Sequence, residues 1–199
     1  MTSLLTSRRN FLGTGLCATA VLAASSAVLV AGAGTLPLYK IIYDERFASS
    51  RHFAAKAGNK GFITHAIRGE VHGLWHDDLY HQWQASPKAI AGMTTADALF
   101  LLAMMAADAR LKVIYRSHHV ADQGGVHPVF GPVSVLSHQP AMAGAETQWA
   151  RTAAHIVTAW PGSAITRSRP HSTILDAGRQ ALGQDTLVSW IIASTARRV

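Results

Sequence analysis

Short runs of β-forming residues alternate with helical stretches in this chain, and that alternation limits the folds open to it. Residues 38–43 are apolar and rich in β-formers, and residues 46–57 carry apolar side chains at helical spacing. Turn residues at 58–61 precede a second apolar run at 62–67. The order strand, helix, strand predicts a parallel β-α-β unit.

The remainder of the chain extends the same pattern. Thr94, Thr95 and Asp97 are typical of a helix start, and the apolar run that follows predicts a helix to Leu111 and then a strand at 112–116. Further elements are predicted in the second half: a strand at 132–136, helices at 146–160 and 173–182, and a strand at 187–192. The sequence therefore predicts a small layered α/β domain with a mostly parallel sheet flanked by helices.

The first 33 residues have the three parts of a signal peptide. Ser7-Arg8-Arg9-Asn10-Phe11-Leu12 precedes an apolar, small-residue stretch at 13–30 and then Ala31-Gly32-Ala33, with no acidic residue before Asp44. The paired arginines followed by Phe and Leu resemble the twin-arginine export signal. This resemblance implies transport of the folded protein to the periplasm by the twin-arginine translocase.

Cleavage after Ala33 is expected, leaving residues 34–199 as a single domain without a permanent membrane anchor. The alternative is a transmembrane helix, because residues 13–30 are about long enough to cross a bilayer. Their many Ala, Gly and Ser residues make the stretch only mildly apolar, which favours the signal peptide.

Composition excludes several classes of function for the exported part. The only cysteine of the sequence, Cys17, lies in the leader. Residues 34–199 can therefore form no disulfide, thiolate nucleophile or iron–sulfur cluster. That part keeps 16 Lys and Arg against 11 Asp and Glu, a formal charge of +5, with no run of four basic residues. Such dispersed charge indicates no nucleic-acid partner.

Polar residues follow three of the predicted strands. Because ligands bind beyond the carboxyl ends of parallel strands, we expect acids, bases and anion-binding groups to gather at that edge. The candidate ligand-binding residues there are Arg46, Arg68, Glu70 and Arg116. The pair Arg68 and Arg116 is favoured for a carboxylate or phosphate, since a guanidinium binds such groups bidentately.

The candidate catalytic residues are Asp44, His118 and His119. The alternative is that these polar residues merely begin solvent-exposed loops.

A histidine-rich and aromatic segment, residues 71–83, follows the second strand, and we expect it to form a lid beside the same edge. If it is helical, His72 and His76 share a face, as do Asp77 and His81, and His72, His76 and His81 are the candidate metal ligands. The segment lacks the His-Glu-x-x-His pattern, and histidine-rich surfaces often bind metal adventitiously. Its Trp75, Tyr80 and Trp83 either pack the segment on the domain or stack on a flat ligand.

Two functions remain open. The first is an exported binding or accessory protein that holds a small anionic ligand or docks on an exported redox enzyme. The second is a periplasmic enzyme in which a carboxylate and a histidine act as base and acid around an arginine-bound substrate, with or without a metal. No nucleotide-binding glycine motif and no Gly-x-Ser-x-Gly elbow occurs in the sequence.

Overall fold

The computed structural model describes residues 35–119, 129–131, 145–162, 171–173 and 186–195. All of them belong to one compact unit that spans residues 34–199. The leader, the predicted strand at 132–136 and most of the predicted helix at 173–182 lie outside the described residues. None of the described helices is long and apolar enough to cross a membrane.

Strands and helices alternate through most of the described chain. The strands are β1 (Leu38–Asp44), β2 (Thr64–Ile67), β3 (Ala89–Thr95), β4 (Leu111–His119), β5 (Val129–Gly131), β6 (His171–Thr173) and β7 (Leu187–Ser194). The helices are α1 (Ala48–Gly58), α2 (His72–Leu74), α3 (Tyr80–Ala85), α4 (Ala96–Asp108) and α5 (Glu146–Thr158), with a π-helical turn (Trp75–Leu79) between α2 and α3. The predicted α/β class is confirmed.

The sheet is mixed, and the prediction of a mostly parallel sheet is wrong. Its described strands follow the order β2-β1-β3-β7-β4-β5-β6. Only β1 pairs in parallel, with β2 on one side and β3 on the other. β7 is inserted antiparallel between β3 and β4, and β5 and β6 continue the antiparallel part. The last of the described strands thus enters the middle of the sheet, which local sequence patterns cannot reveal.

Helices cover both faces of the sheet. One face, here the α1/α5 face, is packed by those two helices and includes Ile41, Phe53 and Trp149 in its core. The opposite face, here the α4 face, is packed by α4 and by residues 72–85, with Ile42 and Trp190 at its centre. Successive residues Ile41 and Ile42 are buried on opposite faces, as expected for a strand within a three-layer fold.

Residues 72–85 are the crossover between β2 and β3, which corrects the expectation of a lid. The crossover buries Leu74, Leu79 and Trp83 against the α4 face. Its π-helical turn carries Asp78, whose carboxylate accepts hydrogen bonds from Tyr39 Oη at 2.6 Å and from Lys40 Nζ near the start of β1. β3 is not predicted from the sequence, because its Ala-Ile-Ala-Gly-Met-Thr-Thr run has neither clear alternation nor many β-branched residues.

Candidate functional site

The end of β1 fixes an arginine against a buried carboxylate. Asp44 is fully buried and accepts hydrogen bonds from Arg46 Nε at 2.9 Å, Arg46 Nη2 at 2.6 Å and the Arg46 backbone N–H at 3.2 Å. Half of the Arg46 side chain is nevertheless exposed. The pair therefore holds the guanidinium of a half-exposed side chain in one fixed orientation, because the two side-chain bonds define its plane.

Ser50 ties this strand end to its neighbours. Its hydroxyl accepts a hydrogen bond from the Asp44 backbone N–H at 3.0 Å and donates one to the Met93 carbonyl at 2.6 Å. Ser50 lies on α1, Asp44 on β1 and Met93 on β3, so a single buried hydroxyl joins three elements. The backbone that carries Arg46 is held rigidly as a result.

The end of β2 brings Arg68, Gly69 and Glu70 to the same place. Gly69 has φ +86°, and a Cβ built there would lie 2.5 Å from Arg46 Nη2. A side chain at position 69 would therefore collide with the Arg46 guanidinium unless that guanidinium moved. Arg68 forms an ion pair with Glu45, although its side chain is 82% exposed. Glu70 is also exposed.

The end of β4 is separated from this group, although it lies at the same edge of the sheet. β3 and β7 stand between β1 and β4, so three strand spacings, about 14 Å, separate the two backbones. Arg116 is exposed and its guanidinium lies 5.2 Å from the centroid of the Phe130 ring. The structure thus brings together the predicted residues of β1 and β2, and does not bring Arg116 to them.

The two candidate catalytic histidines of β4 lie on opposite sides of the sheet. His119 is buried on the α1/α5 face, where its ring stacks on Trp149 at 4.5 Å. His118 is half-buried, and burial lowers its pKa, with a further contribution from the Arg116 cation. The separation of the strands leaves His118 far from Asp44, whose carboxylate is already bound by Arg46. The arrangement gives little support to an acid–base pair of Asp44 and His118.

The candidate metal ligands lie on the exposed side of the crossover. The rings of His72 and His76 are 6.2 Å apart, and His76 Nδ1 is 3.2 Å from Asp77 Oδ1. The His81 ring instead contacts the edge of Tyr80. Within the described part of the chain, no group of three or more His, Cys, Asp or Glu side chains is arranged to hold a metal ion.

The aromatic residues of the crossover pack on one another and also line a groove. The Trp75 ring meets Tyr80 at 5.6 Å and Trp83 at 5.8 Å, both edge to face. Together with Met105 and Arg110 they border a groove of about 290 Å³. Both expectations for these rings, packing and exposure to a ligand, are therefore compatible with their positions.

A second polar group, of which only His119 was predicted from the sequence, lies inside the α1/α5 face. His119 Nε2 lies 2.8 Å from Ser189 Oγ, and both residues are at most 2% exposed. Tyr115 Oη and Ser117 Oγ are buried on the same strand without a hydrogen-bond partner among the described residues. Alternation along β4 could have grouped Tyr115, Ser117 and His119 on one face. The sequence could not have assigned Ser189 to this group, because only the pairing of β7 with β4 brings Ser189 next to Ser117 and His119.

Comparison of the chain with family models, with curated proteins and with solved structures gives no match.

Proposed function

We propose that this chain is an exported binding protein that holds a small anionic ligand at the carboxyl ends of β1 and β2. The observation that carries the proposal is Arg46, whose side chain is half exposed and whose guanidinium is fixed by buried Asp44 and lies against Gly69. A guanidinium held in one plane offers paired donors to a carboxylate or phosphate. Little conformational entropy remains to be lost on binding, which favours affinity.

The position of Arg46 in the sheet also favours a ligand site. β1 lies between β2 and β3, and the chain leaves β1 towards β2 before crossing back to β3. Crevices at such a change of direction are the usual ligand sites of open α/β sheets. α4 begins directly after β3, so its amino terminus lies at the same edge and adds a partial positive charge.

The local charge balance is compatible with an anion. Asp44 is paired with Arg46, and Glu45 with Arg68. Arg51 adds a further cation, since its Nη1 donates to the Glu45 carbonyl at 2.6 Å. Exposed Glu70 is the only acid among the ends of β1 and β2 that lacks such a partner within the described residues.

Anion binding can be measured by thermal unfolding at constant ionic strength, with inorganic phosphate and succinate as probes. We expect at least one probe to raise the Tm of the native protein, because a ligand that binds only the folded state stabilises it. Arg46→Lys keeps the charge beside Asp44 but loses the planar fork, so the rise in Tm should disappear. Arg116→Ala, which removes an exposed arginine about 14 Å away, should keep it.

An unchanged rise in Tm for Arg46→Lys, or its loss in Arg116→Ala, would contradict the site. Absence of any rise with either probe in the native protein would contradict the proposed ligand class.

A second candidate function, docking on an exported partner enzyme, is favoured by one surface. Three large apolar side chains are exposed on α4, namely Phe100 (63%), Leu101 (42%) and Met104 (57%). α4 also contributes Met105 to the aromatic groove. Contiguous exposed apolar residues of this kind often mark protein interaction surfaces.

Chemical crosslinking in periplasmic extracts tests this second candidate. Phe100→Ser combined with Met104→Ser should abolish a crosslinked species, because the apolar contact area is lost. Ile63→Ser is a matched control, since Ile63 is also 63% exposed but lies directly before β2. Equal crosslinking of both variants would exclude this surface as the docking site.

A further inference from the structure

The aromatic groove lies at the opposite edge of the sheet from Arg46. It is bordered by the end of α4 and by the residues before β3, and it is open to solvent. Its lining includes Trp75, Tyr80, Trp83, Met105, Asp108 and Arg110. β1 and β3 run in parallel, and Arg46 follows the carboxyl end of β1. The length of a seven-residue strand, about 20 Å, therefore separates the groove from the Arg46 site.

The rings of the groove are fixed by their packing. Trp83 is 4% exposed, and its indole N–H donates to the Lys88 carbonyl at 3.1 Å. Trp75 is half-buried, packs against the core of the α4 face and meets Trp83 edge to face at 5.8 Å. Tyr80, which is 45% exposed, meets the Trp75 ring at 5.6 Å. A ligand therefore meets walls that are already in place, which lowers the entropy cost of binding.

The angles between the rings favour a rounded ligand group over a flat one. The Trp75 ring makes an angle of 72° with Tyr80 and of 63° with Trp83. Rings this far from parallel cannot both stack on one flat molecule, but two of them can contact the methyl groups of one tetrahedral cation. A quaternary ammonium is such a cation, and the negative face of an aromatic ring attracts it.

Two opposite charges line the same groove. Asp108 is the last residue of α4, Arg110 follows two residues later, and both are exposed. In the described part of the chain, no ion pair joins either side chain to an opposite charge. The groove therefore offers a carboxylate to a cation and a guanidinium to an anion. A zwitterion is the ligand class that uses both.

Both charged residues occupy positions that the local backbone disfavours. Arg110 has φ +58°, a left-handed conformation in which glycine is the usual residue after the end of a helix. Asp108 places a negative charge at the carboxyl end of α4, where the helix dipole is also negative. Residues that oppose local preference without a structural gain are expected at functional positions.

We propose that the aromatic groove binds a small zwitterion with a quaternary ammonium at one end and a carboxylate at the other. The ammonium contacts the rings of Trp75 and Tyr80 beside Asp108, and the carboxylate accepts hydrogen bonds from Arg110. The groove of about 290 Å³ is at the lower limit of ligand pockets, which typically enclose roughly 300–1,000 Å³, so the molecule must be small. This second site does not depend on the anion site at Arg46.

Equilibrium dialysis of the full chain with isotopically labelled glycine betaine tests the site. Dialysis is preferred to thermal unfolding, because methylamine osmolytes stabilise folded proteins without binding them. We expect saturable binding of one ligand per chain. tert-Butylacetate, which has the same shape and carboxylate but carbon in place of the ammonium nitrogen, should compete at least tenfold less well. Choline, which keeps the ammonium and lacks the carboxylate, should also compete less well than unlabelled glycine betaine.

Substitutions at exposed positions separate the two contacts to the cation. Tyr80→Leu should weaken glycine betaine binding at least threefold, because an apolar side chain without a ring does not attract the cation, whereas Tyr80→Phe should bind like the native protein. Asp108→Asn should also weaken binding at least threefold. Asp97→Asn, at the other end of α4, is the matched control and should have no effect.

Arg110→Gly tests the contact to the carboxylate. It should weaken glycine betaine binding and leave choline binding unchanged, because choline has no carboxylate for the guanidinium. The same variant should raise the Tm without ligand, since glycine relieves the left-handed strain at this position. A purely structural role of Arg110 would not produce this combination.

Non-saturating uptake of glycine betaine, or equal competition by tert-butylacetate or choline, would overturn the proposal. Unchanged binding in both Tyr80→Leu and Asp108→Asn would do the same. Arg46→Lys should bind glycine betaine like the native protein, and loss of binding in that variant would place the ligand at the anion site instead. Failure at the groove leaves the anion site untouched, because that site is measured separately with phosphate and succinate.

Discussion

Gly69 and Gly61 have nearly the same left-handed backbone, with φ of +86° and +85°, but different surroundings. A Cβ at Gly61 would meet no atom within 4 Å, whereas a Cβ at Gly69 would meet the Arg46 guanidinium. The two residues therefore separate the cost of backbone strain from the cost of displacing Arg46.

Gly69→Ala and Gly61→Ala should each lower the free energy of unfolding by about 1–2 kcal/mol, because an alanine is strained in this conformation. Only Gly69→Ala should also weaken the anion-induced rise in Tm, since Arg46 must move away from the added methyl group. Urea unfolding with and without phosphate or succinate measures both effects. Equal ligand responses in the two variants would show that Gly69 does not shape the site.

At the scale of elements, the crossover from β2 to β3 depends on a polar contact as well as on its buried Leu74, Leu79 and Trp83. Burial acts to raise the pKa of Asp78, but the hydrogen bonds from Lys40 and Tyr39, together with the Lys40 and His65 charges, outweigh it and lower the pKa overall. A carboxyl whose pKa is lowered on folding contributes stability above its unfolded pKa of about 4. That contribution is lost as the pH falls through the lowered folded value.

Asp78→Asn should therefore lower stability at pH 7 and should flatten the fall in stability below about pH 4. Asp77→Asn is the matched control, because the Asp77 side chain is 79% exposed and touches only His76 among its charged neighbours in the described structure. Urea unfolding across the acid range compares the two variants. A parallel pH profile for Asp78→Asn and the native protein would mean that the Asp78 contact contributes nothing.

The same elements show what a sequence can and cannot predict. Local periodicity is sufficient to predict α1 and the strands on either side of it. The helix buries residues at helical spacing, namely Ser50, Phe53, Ala54 and Ala57. The mixed sheet was not predictable, because β7 pairs with strands that precede it by about 70 to 100 residues. Arg46 and Asp44 were identified as candidates from their place at a strand end, but their mutual pairing depends on side-chain geometry.

For the whole molecule, the absence of cysteine from residues 34–199 is compatible with the proposed export of an already folded protein. Residues 34–199 need no disulfide to fold, so folding can be complete before transport. The described core is divided over two faces of one sheet and is large enough to support a single domain.

Replacement of Arg8 and Arg9 by lysine should prevent appearance of the protein in the periplasm, because the translocase recognises the paired arginines. The matched control replaces Arg197 and Arg198, the pair at the other end of the chain, by lysine and should not affect transport. Immunoblots of periplasmic and cytoplasmic fractions give the readout. Normal transport of the first variant would contradict the twin-arginine signal.

The proposed role of Arg46 as the anchor for a small anion can be tested by NMR observation of the arginine side-chain Nε–Hε groups. The spectrum is recorded while phosphate or succinate is added at constant ionic strength, and assignments come from the Arg46→Lys and Arg116→Ala variants. We predict a saturable shift of the Arg46 signal with little change in that of Arg116. Equal, non-saturating shifts of both signals, or no shift at Arg46, would contradict the claim.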